Sequence, residues 1–276
     1  MSKVILDKSA CETCPANAQL AQMGLKIEAF DRIVALAGNP NTGKSTVFNT
    51  LTGLNQHTGN WPGKTVSRAE GGFVFNNIRY KLVDLPGTYS LLSASQDEEV
   101  ARNFILFGQP DCTIVVTDAT ALERNLNLVL QVMEITDQVV VAVNLMDEAR
   151  RKGLDVDTRS LSRDLGVPAI PIAARTGEGI QTLLMTMEQV ISGDIKTQPR
   201  RVQGTPEFQR AVEQLVPKIK NLLPDVPNPR WLAIRLLDGD SRVQQALQTG
   251  ELAELAGAQR RSDTAFSRKI ALDGRQ

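Results

Sequence analysis

A glycine-rich segment of the form G-x-x-x-x-G-K-S limits the fold of this chain more than any other sequence feature. It consists of Gly38, Asn39, Pro40, Asn41, Thr42, Gly43, Lys44 and Ser45. An apolar run at residues 33–37 precedes it, and Thr46 follows it at the start of a helix-like segment. Such a strand–loop–helix unit wraps phosphates with backbone N–H groups. The motif predicts that Lys44 reaches the β- and γ-phosphates of a nucleotide and that the Ser45 hydroxyl holds Mg²⁺.

A second motif, D-x-x-G, follows the mainly apolar residues 80–83. Its members are Asp84, Leu85, Pro86 and Gly87. Open α/β sheets place ligand groups at the carboxyl ends of strands, which is where this pattern puts Asp84. There the carboxylate can hold the Mg²⁺ of a nucleotide through water, and the Gly87 N–H can point at the γ-phosphate.

A third motif, N-x-x-D, predicts which base the site accepts. Asn144, Leu145, Met146 and Asp147 directly follow the strand-like residues 138–143. The Asp147 carboxylate can accept two N–H bonds from guanine, which adenine cannot supply, and a site built on such bonds rejects ligands that lack them. Three motifs in this order, each at a predicted strand end, predict a GTP-binding domain.

The loop after the last predicted strand completes the guanine site in this interpretation. It contains Ala173, Ala174 and Arg175. The small residues would let backbone N–H groups approach the guanine oxygen. On composition alone, an ordinary strand-to-helix loop is the alternative.

Composition and periodicity agree with a globular α/β protein. The chain has 276 residues, of which 42% are hydrophobic and 22% charged, and its formal net charge is zero. The alternation of apolar and amphipathic runs predicts a Ras-like P-loop GTPase domain, with a mostly parallel six-stranded sheet flanked by helices and a small all-α domain after it. Predicted strands are 32–38, 70–75, 78–84, 112–117, 138–144 and 168–172. Predicted helices are 44–53, 96–107, 122–135, 157–165 and 178–192. The second and third strands form a hairpin at Asn76-Asn77, which supplies the one antiparallel edge strand.

Three parts are predicted along the chain. Residues 1–30 form an N-terminal extension, 31–195 the GTP-binding domain and 196–276 a helical domain. No run approaches the roughly 18 apolar residues of a transmembrane helix, and the N-terminus lacks a signal-peptide core. With three cysteines and a nucleotide site, the cytosol is the expected compartment.

Further segments are similar to one known family, the bacterial ferrous-iron transport protein B. They are Gly59–Thr65, Asp84–Ser90, Asp118–Thr120, Leu122–Leu126, Arg230–Leu232 and Leu237–Asp240. The resemblance implies a GTP-hydrolysing regulator on the cytoplasmic face of the inner membrane, with GTP or GDP and a missing membrane permease as partners. A homo-oligomer is left open. Lys64 departs from the apolar residue expected at its position, and the N-terminal extension is longer than in common members.

The resemblance also implies roles for individual residues. The first switch is expected to be the loop at residues 55–68, with nucleotide contacts from Gly63, Lys64, Thr65, Val66 and Ser67. Thr65 is expected to bind Mg²⁺ only while the γ-phosphate is present. Asn41 is expected to bind an activating K⁺ beside the phosphates, with a loop-bracing asparagine as the alternative. The expected catalytic residues are Lys44, Asn41, Thr65 and Gly87.

Three residues near these motifs bear on hydrolysis. Thr88 stands where Ras-like proteins have the glutamine that positions the attacking water, so another group must orient that water. Arg68 is close in sequence, but a solvated surface arginine is expected there rather than an arginine finger. Trp61 is predicted either to pack beneath its loop or to meet a partner.

The remaining candidates carry less information. Cys11 and Cys14 form a lone C-x-x-C, while Cys112 opens a buried strand. Because a zinc site needs about four ligands, an incidental surface pair is expected, with an intersubunit metal or a redox pair as alternatives. His57 is expected to be a solvated residue of the first switch.

Two rival functions stay open from sequence. One is a soluble GTPase of ribosomes or tRNA, which would usually carry a basic RNA-binding module that this neutral chain lacks. No nucleic-acid partner is therefore expected. The other is a non-catalytic module that holds GTP as a switch ligand, which Thr88 in place of glutamine keeps open.

Overall fold

The structure is a computed structural model that describes residues 30–53, 56–92 and 95–257. It contains a compact unit of Asp31–Pro206 and a second unit whose helices begin near Glu207. The two units are described separately. The predicted limits of the three parts of the chain stay predictions.

One seven-stranded sheet forms the frame of the first unit. Its strands are β1 (Arg32–Gly38), β2 (Gln56–Asn60), β3 (Ser67–Phe75), β4 (Ile78–Asp84), β5 (Cys112–Asp118), β6 (Val139–Asn144) and β7 (Ala169–Pro171). Their order across the sheet is β2-β3-β4-β1-β5-β6-β7. Neighbours from β4 to β7 run parallel, while β3 is antiparallel to both β2 and β4.

Helices connect these strands. They are α1 (Lys44–Thr52), α2 (Gln96–Gly108), α3 (Leu122–Ile135), α4 (Met146–Arg151), α5 (Thr158–Leu165) and α6 (Ile180–Ser192). A 3-10 turn at Ala119–Ala121 leads into α3. The predicted α/β architecture, a mostly parallel sheet flanked by helices, is confirmed. Only the short α4 and the 3-10 turn among these helical elements were not predicted.

The central strands read as continuous apolar runs because helices cover the parallel part of the sheet. Every residue of β6 is buried, as are nearly all residues of β5. One core cluster joins Val34 and Ile114 of the sheet to Phe48 of α1 and Leu183 of α6. This packed frame brings the carboxyl ends of β1, β4, β5 and β6 to one edge, where open α/β sheets bind ligands.

The predicted hairpin between β3 and β4 is confirmed. It turns at Asn76 and Asn77, whose φ angles are 48° and 64°. A two-residue turn that matches the twist of its strands needs positive φ at both positions, and asparagine tolerates that backbone better than most residues.

The predicted number of strands and the predicted edge strand were wrong. β2 is a seventh strand that pairs with β3 from Gln56↔Gly71 to Asn60↔Ser67, so β2 and not β3 forms the edge. The β2 sequence is Gln-His-Thr-Gly-Asn, which has no apolar alternation. Periodicity could not reveal a strand that pairs through its backbone and buries little apolar surface.

The second unit is helical, as predicted. Its helices are α7 (Pro206–Leu222), α8 (Pro229–Leu237) and α9 (Ser241–Gln248), and residues 251–257 are also helical. Side-chain caps begin α8 and α9: Asn228 Oδ1 accepts from Trp231 N at 2.9 Å, and Asp240 Oδ1 accepts from Val243 N at 3.1 Å. Within the described residues of both units, no helix combines the length and apolarity needed to cross a membrane.

Candidate nucleotide-binding site

The phosphate loop lies between β1 and α1, as predicted, and its shape depends on two residues with left-handed backbone. Gly43 has a φ of 78° and Asn41 a φ of 66°. A Cβ added at Gly43 would collide with the side-chain amide of Asn144, so only glycine fits there. The Thr42 hydroxyl donates to the Asn39 carbonyl at 2.9 Å and braces the turn. The backbone conformations and the Thr42 bond therefore give the loop a defined shape.

Asn144 ties the phosphate loop to the predicted guanine loop. Its Nδ2 donates to the Thr42 carbonyl at 2.9 Å, and its Oδ1 accepts from Ala174 N at 3.0 Å. The residue is buried at the end of β6, where these bonds are shielded from water. The bond from Asn144 to Thr42 spans 102 positions of the sequence, so the two motifs are parts of one site.

The D-x-x-G motif is adjacent to the phosphate loop. Leu36 and Asp84 are partners in the β1–β4 register, and Lys44 Nζ forms an ion pair with Asp84 Oδ1. Lys44 Nζ also donates to the Leu85 carbonyl at 2.7 Å. Burial raises the pKa of the Asp84 carboxyl, and the Lys44 ammonium opposes that shift. If Lys44 binds phosphate as predicted, phosphate oxygens would replace these two oxygens as its partners.

The residues after Leu85 lie against the same loop. Thr88 is buried, and its N–H donates to the Gly38 carbonyl at 3.3 Å. Gly87 is exposed beside Pro40, with space for a Cβ at ordinary contact distance. Pro86 lies between these residues and is half-buried. Thr88 therefore connects the segment after the D-x-x-G motif to the first residue of the phosphate loop.

The donor set fits a magnesium ion. Ser45 is exposed in the first turn of α1, and the Asp84 carboxylate forms an ion pair with the adjacent Lys44. Mg²⁺ prefers oxygen ligands, and in nucleotide sites it is held by protein oxygens together with phosphate oxygens. Ser45 and Asp84 would hold the ion, whereas the third predicted ligand, Thr65, contacts a different part of the domain.

Asp147, the residue predicted to recognise guanine, is flanked by two arginines. Leu145 precedes α4 as its N-cap and has a φ of 63°, and Met146 N donates to the Ile172 carbonyl at 3.2 Å. The Asp147 carboxylate lies 3.4 Å from Arg175 Nη2 and 3.7 Å from Arg151 Nη2. Both guanidinium groups are exposed, so these pairs are weak competitors for a base that fills the site.

The small residues of the guanine loop use their N–H groups within the protein. Ala173 N donates to the Glu178 carbonyl at 3.0 Å, and Ala174 N donates to Asn144 Oδ1 at the same distance. The predicted contact between these N–H groups and the guanine oxygen stays a prediction. It requires one of these bonds to be exchanged when the base arrives.

Comparison with known proteins agrees with this geometry. Residues 32–187 match the family model described as ferrous iron transport protein B, and residues 205–271 match that of the FeoB cytosolic helical domain. The chain belongs to the FeoB family.

Among FeoB relatives, the Fe(2+) transporter FeoB of Salmonella typhimurium is 38% identical over 225 residues, which are 80% of this chain and 28% of that protein. The cytosolic domain of L. pneumophila FeoB has a TM-score of 0.71 at 36% identity, with 81% of this chain and 88% of that one covered. The T. maritima FeoB cytosolic domain in its GMPPNP form has a TM-score of 0.67 at 33% identity, covering 86% and 96%. The chain thus spans less than a third of the length of the curated FeoB relatives that it matches.

The first switch of this FeoB family member folds onto its own domain. Trp61 is buried, and its ring meets Phe104 edge-on with centroids 5.5 Å apart. Trp61 N donates to the Val66 carbonyl at 2.9 Å, which closes a turn through the exposed Gly63 up to the exposed Ser67 at the start of β3. Of the two alternatives for Trp61, packing beneath the loop is the one that the structure contains.

The expectation of a solvated Arg68 was wrong. Arg68 is only 8% exposed, with its guanidinium carbon 5.6 Å from the centre of the Trp61 ring and Nη2 3.9 Å from Glu70 Oε1. An arginine stem packs well on an aromatic face, and the neighbouring carboxylate offsets the buried charge. Arg68 follows Trp61 by seven positions, and the β2–β3 pairing that sets Arg68 opposite Gly59 was not predicted.

Sequence reasoning missed two residues of α2 that hold the first switch. Lys64 Nζ donates to Glu99 Oε2 at 3.0 Å, and the Thr65 hydroxyl donates to Gln96 Oε1 at 3.4 Å. Gln96 and Glu99 are three positions apart on a helix, which places them on one face. That spacing was visible in the sequence, but nothing local indicated which segment the face would meet.

The other candidates lie apart from the site. Cys112 is fully buried in β5, and burial raises the pKa of its thiol. His57 is exposed, as expected, but it lies in strand β2 and not in a loop. Cys11 and Cys14 lie outside the described residues. Across the parts of the chain that the structure describes, no cluster of His, Cys, Asp or Glu side chains suits a metal ion.

Proposed function

We propose that this chain is the GTP-binding and GTP-hydrolysing regulatory part of a ferrous-iron transporter. One observation carries the proposal: Asn144 joins the phosphate loop to the guanine loop, while Lys44 joins the phosphate loop to Asp84. The elements proposed to bind phosphate, magnesium and the base are therefore adjacent to one another. Membership in the FeoB family connects this site to iron transport.

The transporter context rests on relatives that are much longer than this chain. Because the chain covers 28% of the Salmonella typhimurium Fe(2+) transporter, Fe²⁺ as cargo and a membrane permease as partner are proposals. The matched solved structures are cytosolic domains of FeoB. We place this chain on the cytoplasmic face of the bacterial inner membrane on that basis.

The chain's own residues would act through position and charge. Lys44 leaves Asp84 and the Leu85 carbonyl and binds the β- and γ-phosphates, while the N–H groups of the loop surround them. Ser45 and Asp84 would hold magnesium, which would neutralise charge on the phosphate oxygens. The exposed Gly87 directs its N–H to the γ-phosphate. A dedicated acid or base is not required, because phosphoryl transfer relies on positioning and electrostatics.

Water activation needs a group other than a glutamine, since Thr88 is buried with its N–H bonded to the Gly38 carbonyl. We propose that backbone groups of the first switch orient the water. We also propose that Asn41, whose side chain is exposed at the mouth of the loop, binds K⁺. A bound K⁺ would supply positive charge beside the phosphates in place of an arginine finger.

Steady-state hydrolysis of GTP tests these proposals. The rate with Mg²⁺ is measured in matched potassium and sodium buffers for wild type, Asn41→Ala and the control Asn127→Ala on α3. Turnover that is faster in potassium, and loses this preference only in Asn41→Ala, is the expected result. Equal rates in both salts would refute the potassium role of Asn41. Tight GTP binding without turnover would refute hydrolysis and favour the non-catalytic switch module.

A further inference from the structure

Three residues of the first switch contact one side of α2. Trp61 meets Phe104 with ring centroids 5.5 Å apart, Lys64 Nζ is 3.0 Å from Glu99 Oε2, and Thr65 Oγ1 is 3.4 Å from Gln96 Oε1. The order along the switch is the reverse of the order along the helix. The switch is therefore docked antiparallel to α2 through an aromatic, an ionic and a neutral polar contact.

The ionic contact is the most directional of the three. The Glu99 side chain is 9% exposed and the Lys64 side chain 32% exposed, so water screens this pair less than an ordinary surface pair. A hydrogen bond between charged groups is also shorter and stronger than a neutral one. Lys64 therefore contributes more to docking than the exposed Thr65, whose bond to Gln96 is long.

The docked arrangement conflicts with the role proposed for Thr65. Its hydroxyl donates to Gln96, whereas binding to the magnesium of a GTP complex needs the hydroxyl oxygen at the phosphates. Lys64 directly precedes Thr65 in the chain, so the ion pair between Lys64 and Glu99 of α2 restricts how far Thr65 can move. Release of Lys64 from Glu99 would free Thr65 for the nucleotide.

We propose that Lys64 is a positioning residue whose ion pair with Glu99 holds Thr65 on α2 and so opposes its transfer to the nucleotide. The inference rests on the proposed GTP-binding function. It adds an interaction within the chain, called the brake below, that opposes the GTP-bound arrangement of the first switch. A ligand shifts a conformational equilibrium only by its preference for one state. Binding of the γ-phosphate must therefore overcome the Lys64–Glu99 pair, whereas GDP, which lacks this phosphate, leaves the switch docked.

The variant Lys64→Met removes the ammonium and keeps an apolar stem over α2. We expect it to raise the ratio of GMPPNP affinity to GDP affinity by about threefold to tenfold, the range of a partly buried ion pair. Lys64→Arg keeps a donor for Glu99 and should restore the wild-type ratio. Lys196→Met, at another exposed lysine of this unit, is the matched control and should not change the ratio.

The experiment measures GMPPNP and GDP affinities with Mg²⁺ by calorimetry for these variants, Glu99→Gln and the double variant Lys64→Met/Glu99→Gln. If the pair is the brake, Glu99→Gln also raises the ratio, and the double variant adds little to Lys64→Met. An unchanged or lower ratio in Lys64→Met overturns the inference. If wild type fails to bind GMPPNP, the proposed function fails instead, so the two failures are distinguishable.

Trp61 offers a spectroscopic readout that a merely structural role for Lys64 would not move. It is one of two tryptophans, and Trp231→Phe leaves it as the sole reporter. In that background, GMPPNP should change Trp61 emission at lower concentration in Lys64→Met than in wild type. Should Lys64→Met fold poorly by circular dichroism, Glu99→Gln supplies the comparison, with Lys64→Arg as the variant that should match wild type. No shift in Glu99→Gln would then refute the proposed role of the ion pair.

Discussion

The phosphate loop and the first switch are both parts of the nucleotide site, but different forces define them. The loop takes its shape from local backbone, with Gly43 and Asn41 in left-handed conformations between a strand and a helix. The first switch takes its place from side chains that contact α2 more than 30 residues away, through Lys64–Glu99 with a separation of 35. A locally built element is suited to constant phosphate binding, whereas an element held by a few distant contacts is suited to switching.

Loss of the loop lysine should separate the two regions most strongly. Lys44→Ala removes the cation proposed for the β- and γ-phosphates, and we expect GDP affinity to fall about 100-fold. The contacts of Trp61 do not involve Lys44, so tryptophan emission of the nucleotide-free protein should stay the same. Fluorescent GDP titration checks the affinity, with the exposed Lys196→Ala as the control. Undiminished affinity would remove the phosphate-loop assignment.

Base selection is the next largest expected effect. Asp147→Asn replaces the acceptor of the guanine N–H groups with an amide, so we expect GDP to bind at least about tenfold more weakly and xanthosine diphosphate to bind better. Competition of the two nucleotides against fluorescent GDP measures both changes. Asp155→Asn, at an exposed aspartate beyond α4, serves as the control. An unaltered preference for guanine would contradict the role of Asp147.

Removal of the Trp61 ring tests the docking of the first switch. Trp61→Ala loses the contacts to Phe104 and Arg68, and we expect the Val66-bonded amide of residue 61 and its neighbours to exchange hydrogen about tenfold faster. Amides of α1, next to the phosphate loop, should be unaffected. Hydrogen exchange by mass spectrometry resolves the two regions, and His57→Ala in exposed β2 is the comparison. Faster exchange in both regions would show that they are not independent.

The smallest effect is expected at the start of β5, at the opposite end of the strand from the phosphate loop. Cys112 pairs with Val34 in the β1–β5 register and is buried as an uncharged thiol, because burial raises its pKa. Cys112→Ala should lower the free energy of unfolding by about 1 kcal/mol through lost packing and leave GDP affinity unchanged. Urea unfolding and GDP titration test the two halves of this statement. A large loss of GDP affinity would assign the thiol a role that the structure does not give it.

Features that depend on local sequence could be predicted, whereas features that depend on distant contacts could not. The three motifs, the hairpin at Asn76-Asn77 and the helices around the sheet were predictable because each depends on local pattern or on strand ends. β2 was not, since it is a polar segment that pairs with β3 through the backbone and shows no apolar alternation. Burial of Arg68 and the Lys64–Glu99 pair were also missed, because both depend on which distant surface a glycine-flanked loop meets.

Calorimetric titration with Mg²⁺ and two non-hydrolysable nucleotides tests the central claim most directly. GMPPNP and AMPPNP differ only in the base, and both present the same phosphates to Lys44 and Ser45. We expect GMPPNP to bind with a defined stoichiometry and AMPPNP to give no measurable heat at the same concentrations. Equal binding of the two, or binding of neither, would contradict a GTP-specific site in this chain.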